Sequence, residues 1–471
     1  MTNEVAKPTV DHDKGVQRNA LCRTLMGGTR AMRSAGEQYL PKFASETAGA
    51  YASRVKRSVL FNAYKKTVAD MTGKVFAKPI ILGTDVPAAL QDFAENIDLT
   101  GRNLNVFARD AFFDALQPGI GFVLVDAPPA VTRTDGLTPT LADYQKSGWR
   151  PYMTYVPIEN LIGWQSQQID GIETLTQVRI LESVTVAEGD YAEKCIDQIR
   201  VLRPGSWETW RKSQTAEGEW ALFEEGSTSL AKIPLAPIYL NRTSFMCGAP
   251  PLEELADLNC CHWQSSSDQR NILTIARVPI LFGTGFGDDA VLEIGASSLI
   301  RNSDPNAKLS YIEHSGQAIG AGDKDIENLE RQMEAMGLQL LVDKPGGKTA
   351  TGEIRDDAKE NSQLASMAAA LQDAIEHAFG FMAEFIGLGD DAGGSVVVNK
   401  EFGVSGGWGD IAQLLAARVA GEISRDTYWT EMQRRGFLAD DFDPEVEASR
   451  LENEAPVGGP PMDLGHDHPH S

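Results

Sequence analysis

The spacing of apolar residues divides the first half of the chain into a helical part and a strand-rich part. Residues 1–36 have weak periodicity, which predicts an arm followed by a short helix. Apolar residues three and four apart predict longer helices over 47–72 and 101–116, and the apolar run at 122–125 predicts a buried strand. Residues 150–240 alternate between apolar and polar with turn residues between the runs, so we expect a β-rich region there.

The second half of the chain predicts fewer but longer helices. Two adjacent prolines open a helix over 250–277, because proline suits the first turn of a helix. A short strand at 280–282 leads into a glycine-rich stretch, and a further helix is predicted over 324–342. A loop with several glycines and a proline, from Val342 to Glu353, separates that helix from the longest one, which runs from about Ala358 to Gly387.

The longest helix has an apolar stripe at three- and four-residue spacing, represented by Leu364, Leu371, Ile375 and Phe379. Such a stripe must pack against another apolar surface. Because it is longer than a small sub-domain would cover, we expect it to contact other subunits and to form an exposed apolar patch on an isolated subunit.

The C-terminal part predicts one short strand and a pair of helices before a polar tail. The strand is expected over 395–402 and the two helices over 407–436. Ser424 follows the glycine turn between these helices and suits the N-cap of the second one. The tail from Asn453 is rich in proline and glycine, so we expect it to be disordered.

These elements define an α+β protein of two or three sub-domains, since 471 residues exceed one hydrophobic core. The net charge of −23 repels phosphate, which argues against a protein that reads DNA sequence but suits a channel through which DNA slides. No apolar run reaches the roughly 18 residues of a membrane span, so no membrane partner is expected. The N-terminus lacks the basic start and apolar stretch of a signal peptide.

No residue pattern predicts a catalytic or metal-binding site. The five cysteines are irregularly spaced, which indicates reduced thiols and no zinc site: Cys22, Cys195, Cys247, Cys260 and Cys261. The residues Gly346-Gly347-Lys348-Thr349 look like the end of a phosphate-binding loop, but Val342 occupies the position where that loop requires a glycine. We therefore expect no enzymatic activity, no cofactor and no metal. Three tryptophans of the β-rich region are expected to pack within a sheet: Trp207, Trp210 and Trp220.

Short blocks near both ends of the chain resemble the portal proteins of tailed bacteriophages. The N-terminal blocks are Tyr39-Leu40-Pro41-Lys42, Tyr51-Ala52-Ser53-Arg54 and Gly73-Lys74-Val75-Phe76-Ala77-Lys78-Pro79, and the C-terminal block is Gly421-Glu422-Ile423-Ser424-Arg425-Asp426-Thr427-Tyr428. Their order and spacing extend the resemblance from about Arg33 to Glu454. The branch that the chain resembles is known only as a domain of unknown function.

The resemblance implies a ring-forming portal fold with wing, stem, clip and crown regions. The implied regions are a wing at 1–245, stem helices at 250–277 and 324–342 with a clip at 278–323 between them, a tunnel loop at 343–356, a long helix and wing strand at 357–402, a crown at 403–452 and a disordered tail at 453–471.

The resemblance also implies the partners and the location of the protein. It implies a ring, usually of twelve subunits, at one capsid vertex of the virion, assembled in the host cytoplasm and used for DNA packaging and ejection. The implied partners are the terminase large subunit, a head–tail adaptor, the major capsid and scaffolding proteins, and double-stranded DNA that passes without sequence-specific contacts.

Two residues of the implied tunnel loop are candidates for DNA contact. Lys344 and Lys348 would each place a ring of positive charge around the duplex, in contact with phosphate. The alternative to a portal ring is another ring-forming head–tail adaptor. A packaging nuclease or ATPase is a further alternative, but it would need clustered acidic ligands or a complete phosphate-binding loop.

Overall fold

The computed structural model describes residues 4–128, 143, 146–212, 219–277, 280–284, 305–312, 317–338, 350–400, 402, 408–434, 437–438 and 442–453. The chain separates into two compact units, Met1–Lys400 and Glu401–Ser471. No helix within the described ranges has the length and apolar character needed to cross a membrane.

The N-terminal part of the first unit is helical. Its helices are α1 (Val10–Met26), α2 (Gly28–Ala35), α3 (Ala48–Arg57), α4 (Ala63–Val75), α5 (Ala88–Ala94) and α6 (Leu104–Ala115). The helix expected over 101–116 is confirmed as α6. The expected arm within residues 1–36 is wrong, because most of that segment forms α1 and α2. The buried residues of α1 are spaced three to seven apart but are partly polar, so they leave little apolar periodicity: His12, Asn19, Cys22 and Leu25.

The single helix expected over 47–72 is two helices, because residues 58–62 are held outside helical geometry. Ser58 is extended, with φ −66° and ψ 137°. Its hydroxyl lies 2.9 Å from the carbonyl oxygen of Arg54 and 2.8 Å from the hydroxyl of Ser267. Asn62 then caps α4 by accepting the Lys65 N–H at 2.9 Å. These polar side chains therefore end one helix and start the next.

Two antiparallel sheets follow, as expected for the β-rich region. The strands are β1 (Ile81–Leu82), β2 (Ile120–Asp126), β3 (Tyr152–Val156), β4 (Gly163–Ile169), β5 (Ile172–Glu188), β6 (Ala192–Arg203), β7 (Ser206–Lys212), β8 (Trp220–Ser227), β9 (Leu235–Tyr239), β10 (Arg242–Ser244) and β11 (Cys247–Gly248). One sheet has the order β3-β2-β9, and the other is the meander β4-β5-β6-β7-β8. The short strands β10 and β11 pair with each other.

A hydrophobic core joins the two sheets. Phe122 and Leu124 of β2 belong to the same buried cluster as Val178 and Ile180 of β5. Six of the seven residues of β2 are buried, which explains the continuous apolar run that predicted this strand. Trp207 packs against this core, Trp220 belongs to a second buried cluster and Trp210 packs against that cluster, so the expected role of these three tryptophans in sheet packing is confirmed.

Where the structure describes it, the second half of the first unit has two long helices and one of intermediate length. Its elements are α7 (Glu253–Ala276), β12 (Ile280–Thr284), β13 (Lys308–Ile312), α8 (Gln317–Met333), a π-helical turn (Glu334–Leu338), α9 (Ala350–Phe385) and β14 (Val396–Val397), which pairs with β1. The strand expected over 395–402 is therefore limited to two residues.

The described residues of the second unit form three helices: α10 (Trp408–Val419), α11 (Arg425–Arg434) and α12 (Pro444–Asn453). The expected N-cap is confirmed, since the Ser424 hydroxyl oxygen accepts the Thr427 N–H at 3.0 Å. Asp443 makes the equivalent bonds at the start of α12, to the N–H groups of Glu445 and Val446. This unit begins near the expected crown boundary at residue 403, and its assignment as a crown stays a prediction.

Candidate assembly site

The candidate site is the unit formed by α7, the β12–β13 hairpin and α8. Strands β12 and β13 pair antiparallel from Ile280–Ile312 to Thr284–Lys308. Along the chain, α7 is followed by this pair of strands and then by α8. The assignment of these elements as two stem helices with a clip between them stays a prediction. We call these elements together the helix–hairpin–helix unit.

The boundaries of this unit differ from those expected from the sequence. The first helix, α7, lies where it was expected. The second, α8, begins at Gln317 and ends at Met333, whereas residues up to 323 were expected in the clip and the helix was expected over 324–342. Residues 315–322 contain three glycines and few large apolar residues, so the spacing of apolar residues does not reveal the first turns of α8.

Polar side chains fix the register of α7 against α8. Three residues on one face of α7 contact successive positions of α8 in the reverse direction, as antiparallel packing requires. The amide nitrogen of Gln269 donates to a carboxylate oxygen of Asp323 at 2.8 Å, and Ser265 donates to Asp325 at 2.8 Å. One turn further back, the Nε2 atom of His262 lies 3.2 Å from a Glu330 carboxylate oxygen.

The opposite side of α7 is joined to α3 and to the linker before α4. Asn259 is fully buried, and its side chain accepts the Tyr64 N–H at 2.9 Å and donates to the Phe61 carbonyl at 2.8 Å. The Tyr64 N–H lies in the first turn of α4, where N–H groups lack an intrahelical acceptor, and Asn259 supplies that acceptor. Helix α7 is thus held on two sides by directed polar contacts, and its position depends on both neighbours.

A buried arginine adds a charged contact between α3 and α7. The Arg54 side chain is 2% exposed and makes two hydrogen bonds, at 2.9 and 3.0 Å, to the Glu46 carboxylate. It also lies 3.3 Å from an Asp268 carboxylate oxygen on α7. The hydrogen bonds from Arg54 hold the pKa of Glu46 below its usual value, whereas burial raises the pKa of Asp268. Arg54 therefore depends on Glu46 as its main counter-charge.

A π-helical turn extends α8 into contact with α4 and α7. A Cβ atom added to Gly337 would lie 2.6 Å from a Leu255 methyl carbon and 3.0 Å from the Thr67 hydroxyl. Glycine is therefore required here for a close approach of the backbone. The turn lies immediately before residues 339–349, which include the first half of the expected tunnel loop, residues 343–349.

The residues proposed for DNA contact, Lys344 and Lys348, lie outside the described residues. Helix α9 begins at Ala350, eight residues earlier than expected, so residues 350–356 of the expected tunnel loop are helical. Residues 352–357 contain a glycine, four charged residues and one isoleucine, so the spacing of apolar residues does not reveal this part of the helix.

The apolar stripe of α9 lies inside the subunit. Helix α9 packs on strands β9 and β2 of the three-stranded sheet. Its four candidate packing residues are each no more than 2% exposed in the single chain: Leu364, Leu371, Ile375 and Phe379. The expectation that an isolated subunit exposes this stripe is therefore wrong. The sheet that covers the stripe comes from residues more than a hundred positions earlier, which local sequence spacing cannot reveal.

The polar edge of α9 holds strand β14. The Glu376 carboxylate accepts the Val396 N–H at 3.0 Å, and the Gln372 side-chain oxygen accepts the Val398 N–H at 3.4 Å. The Gln372 amide also donates to Glu376 at 3.1 Å. Both edges of α9 thus have intramolecular functions, and the sequence pattern indicated only the apolar one.

The described residues contain no cluster of candidate metal ligands. No group of three or more His, Cys, Asp or Glu side chains in these ranges could hold a metal ion. The five cysteines are all free. His262 lies 5.3 Å from the Phe61 ring, between centroids, and His377 lies 4.6 Å from Phe381 in the same measure, so both histidines pack against aromatic side chains.

Comparison with protein families gives one match, which includes the whole helix–hairpin–helix unit. Residues 251–386 match the family described as a domain of unknown function, DUF4055. The match begins just before α7 and ends just after α9. It covers less than half of the chain. No curated protein matches the chain.

Comparison with solved structures gives low-scoring similarities to subunits of gene transfer agent particles. The neck of a native particle, computed with C12 symmetry, has a TM-score of 0.41 at 14% identity over 78% of this chain and 88% of the other. The neck of an empty particle, computed with C6 symmetry, has a TM-score of 0.40 at 13% identity over 84% and 90%. The virion of a native particle gives 0.36 at 14% identity over 84% and 90%. These scores are too low to establish a shared fold.

Proposed function

We propose that this chain is the subunit of a portal ring at the head–tail vertex of a phage-like particle. The sequence resemblance supports this function, and the helix–hairpin–helix unit followed by α9 supports the same order of regions. In the proposal, α7 and α8 are the stem helices and the β12–β13 hairpin is part of the clip. The ring contains twelve subunits and surrounds a channel for DNA packaging and ejection.

The observation that carries the proposal is the fixed antiparallel pair α7–α8 with a hairpin at its far end. Hydrogen bonds at Gln269, Ser265 and His262 set the register of the two helices, and Asn259 ties α7 to the rest of the subunit. Each bond stabilises the subunit by only about 1 kcal/mol, but a wrong register would leave the buried side chains of His262 and Gln269 without these partners. Such a pair suits a subunit that must present its hairpin at a defined position to a docking partner.

The proposal assigns partners to the two ends of the ring. The clip binds the terminase large subunit during packaging and a head–tail adaptor afterwards, while the major capsid and scaffolding proteins surround the wing. The net charge of −23 supports a channel from which DNA is repelled and within which it slides. Lys344 and Lys348 are proposed as the exception, a loop that contacts phosphate without reading sequence.

Native mass spectrometry and negative-stain microscopy of the purified chain test the proposal. We expect closed rings with a central hole and one dominant subunit number. We also expect DNA fragments to bind weakly at physiological salt, because most contacts would be repulsive. A monomer that hydrolyses ATP, or nanomolar sequence-dependent DNA binding, would contradict the portal function.

A further inference from the structure

Strands β5 and β6 continue past the five-stranded sheet as a two-stranded ribbon. Beyond Gln198 they pair for six more positions, from Ser183–Asp197 to Glu188–Ala192. The neighbouring strand β4 pairs only as far as Arg179, and β7 only as far as Gln198. Among the described residues no third strand covers this ribbon, which is about 20 Å long at the usual rise per residue. A two-stranded ribbon has little stability of its own, so a binding partner would stabilise it.

The tip of the ribbon combines an exposed aromatic residue with negative charge. The side chain of Tyr191 is fully exposed. Glu188, Asp190 and Glu193 surround it in sequence, and they have no ion-pair partner among the described residues. Lys194 is the one basic residue within the tip, so the tip has an excess of negative charge. Tyrosine is favoured at protein interfaces because it offers a large apolar ring and a polar end.

A complementary surface lies at the corner between α3 and α4. Residues 48–79 contain seven basic residues and one acidic residue, in a chain with a net charge of −23. The corner exposes basic and large apolar side chains together: Lys56, Arg57, Val59, Phe61, Lys65 and Lys66. Val59 is 44% and Phe61 is 50% exposed.

Some of the basic groups at this corner are without counter-charges. Lys66 pairs with Asp70 at 2.8 Å, and Arg57 contacts Asn271 at 3.4 Å. Within the described ranges, Lys56 and Lys65 have no carboxylate partner. The corner can therefore accept acidic groups from another molecule without first breaking an internal ion pair at these two lysines.

The position of Lys65 and Lys66 within α4 is unfavourable for the isolated subunit. Both lie in the first turn, which contains no acidic residue. The helix dipole disfavours positive charge at this end, whereas an acidic side chain would be favoured there. Local rules of this kind are usually broken where a residue has another function. An acidic partner at the corner would remove the unfavourable charge.

We propose that the acidic ribbon tip of one copy of this chain docks on the basic α3–α4 corner of the next copy. The inference rests on the proposed ring and names one of its subunit contacts. Two different surfaces of the same chain meet in this contact, and repetition of such a head-to-tail contact closes into a ring when the rotation permits. Tyr191 packs against Val59 and Phe61, and the surrounding charges orient the two copies.

Two charge-reversal variants test this contact. The ribbon variant carries Glu188→Lys and Glu193→Lys, and the corner variant carries Lys56→Glu and Lys65→Glu. Each reversal places like charges across the contact, so each variant alone should need at least about tenfold higher protein concentration to form rings. Sedimentation velocity measures this shift. Unchanged melting temperatures of the two monomers show that both variants fold.

Mixing the two variants gives the decisive measurement. The reversed ribbon of one variant is complementary to the reversed corner of the other, and the two remaining surfaces are native. An equimolar mixture should therefore regain rings at the wild-type concentration, with the two variants in equal amounts by native mass spectrometry. A chain that carries all four substitutions should also assemble, because every contact is then complementary again.

The outcomes separate this inference from the proposed function. If the ribbon variant and the corner variant each form rings at the wild-type protein concentration, the ribbon contact is wrong and the portal function is unaffected. Wild-type protein that never assembles would contradict both. If the corner variant assembles normally but loses affinity for DNA fragments, the corner binds phosphate and the ribbon contact is wrong.

Discussion

Replacement of Leu371 by alanine distinguishes a core position from a subunit contact. The Leu371 side chain is completely buried in the single chain, on the face of α9 that packs against the three-stranded sheet. A buried leucine-to-alanine change costs about 2–5 kcal/mol, because apolar contacts are lost and a cavity remains. Total stabilities of domains are about 5–15 kcal/mol, so this loss is a large fraction of the whole.

The expected result is a less stable subunit, with the loss independent of protein concentration. The melting temperature of Leu371→Ala should fall by roughly 5 °C or more, as measured by circular dichroism at several concentrations. Leu388→Ala is the matched control, since Leu388 is 50% exposed just beyond the same helix and should have a much smaller effect. A Leu371→Ala subunit that melts like the wild type but fails to assemble would refute the core assignment and restore the subunit contact expected from the sequence.

Three further predictions concern buried polar groups and the expected tunnel loop. Asn259→Ala leaves the Tyr64 N–H and the Phe61 carbonyl unpaired, so it should cost about 2–4 kcal/mol in thermal unfolding, whereas Asn271→Ala should cost little. Burial disfavours the Asp98 carboxylate, but hydrogen bonds from Thr100 and Arg102 outweigh burial and lower the pKa of Asp98 to about 2. The stability that the Asp98 carboxylate contributes is therefore present above its ordinary pKa of about 3.9 and is lost as the pH falls through about 2. Between these two pH values, Asp98→Asn should lose less stability than the wild type. Equal losses in the two proteins would contradict the lowered pKa of Asp98. The double change Lys344→Ala and Lys348→Ala should leave ring assembly normal and impair DNA packaging or retention, and unaffected packaging across a range of salt would exclude a DNA-contacting role.

The sequence predicted those elements whose buried residues are apolar and regularly spaced within the element itself. Helix α6 and strand β2 have continuous or regularly spaced apolar residues, and the structure confirms them. The buried face of α1 contains His12 and Asn19, and the break after α3 depends on a hydroxyl contact with the distant Ser267. These two features were not predicted, because buried polar residues do not produce a regular spacing of apolar residues.

Buried polar residues of the candidate assembly site were even harder to predict from an apolar pattern. The second half of α7 is polar in sequence, and an apolar pattern places it in solvent, yet Ser267 is 3% and Gln269 is 5% exposed. Both are buried because partners on α3 and α8 satisfy their hydrogen-bonding groups, and those partners come from segments about 50 and 200 residues away. A polar helix of this kind cannot be identified as buried until its partners are known.

The sequence pattern assigned the apolar stripe of α9 to the wrong partner, and the reason is again physical. Its apolar stripe was correctly identified as a packing surface, but the sequence alone did not distinguish a partner within the chain from a partner in another subunit, because the hydrophobic effect has no directional preference. Charge does carry such information. Unpaired acidic groups on the β5–β6 ribbon and unpaired lysines at the α3–α4 corner have no partner of opposite charge among the described residues of their own subunit. We therefore expect the contacts between subunits to lie where charge is left uncompensated, and mixing the two charge-reversal variants tests that expectation directly.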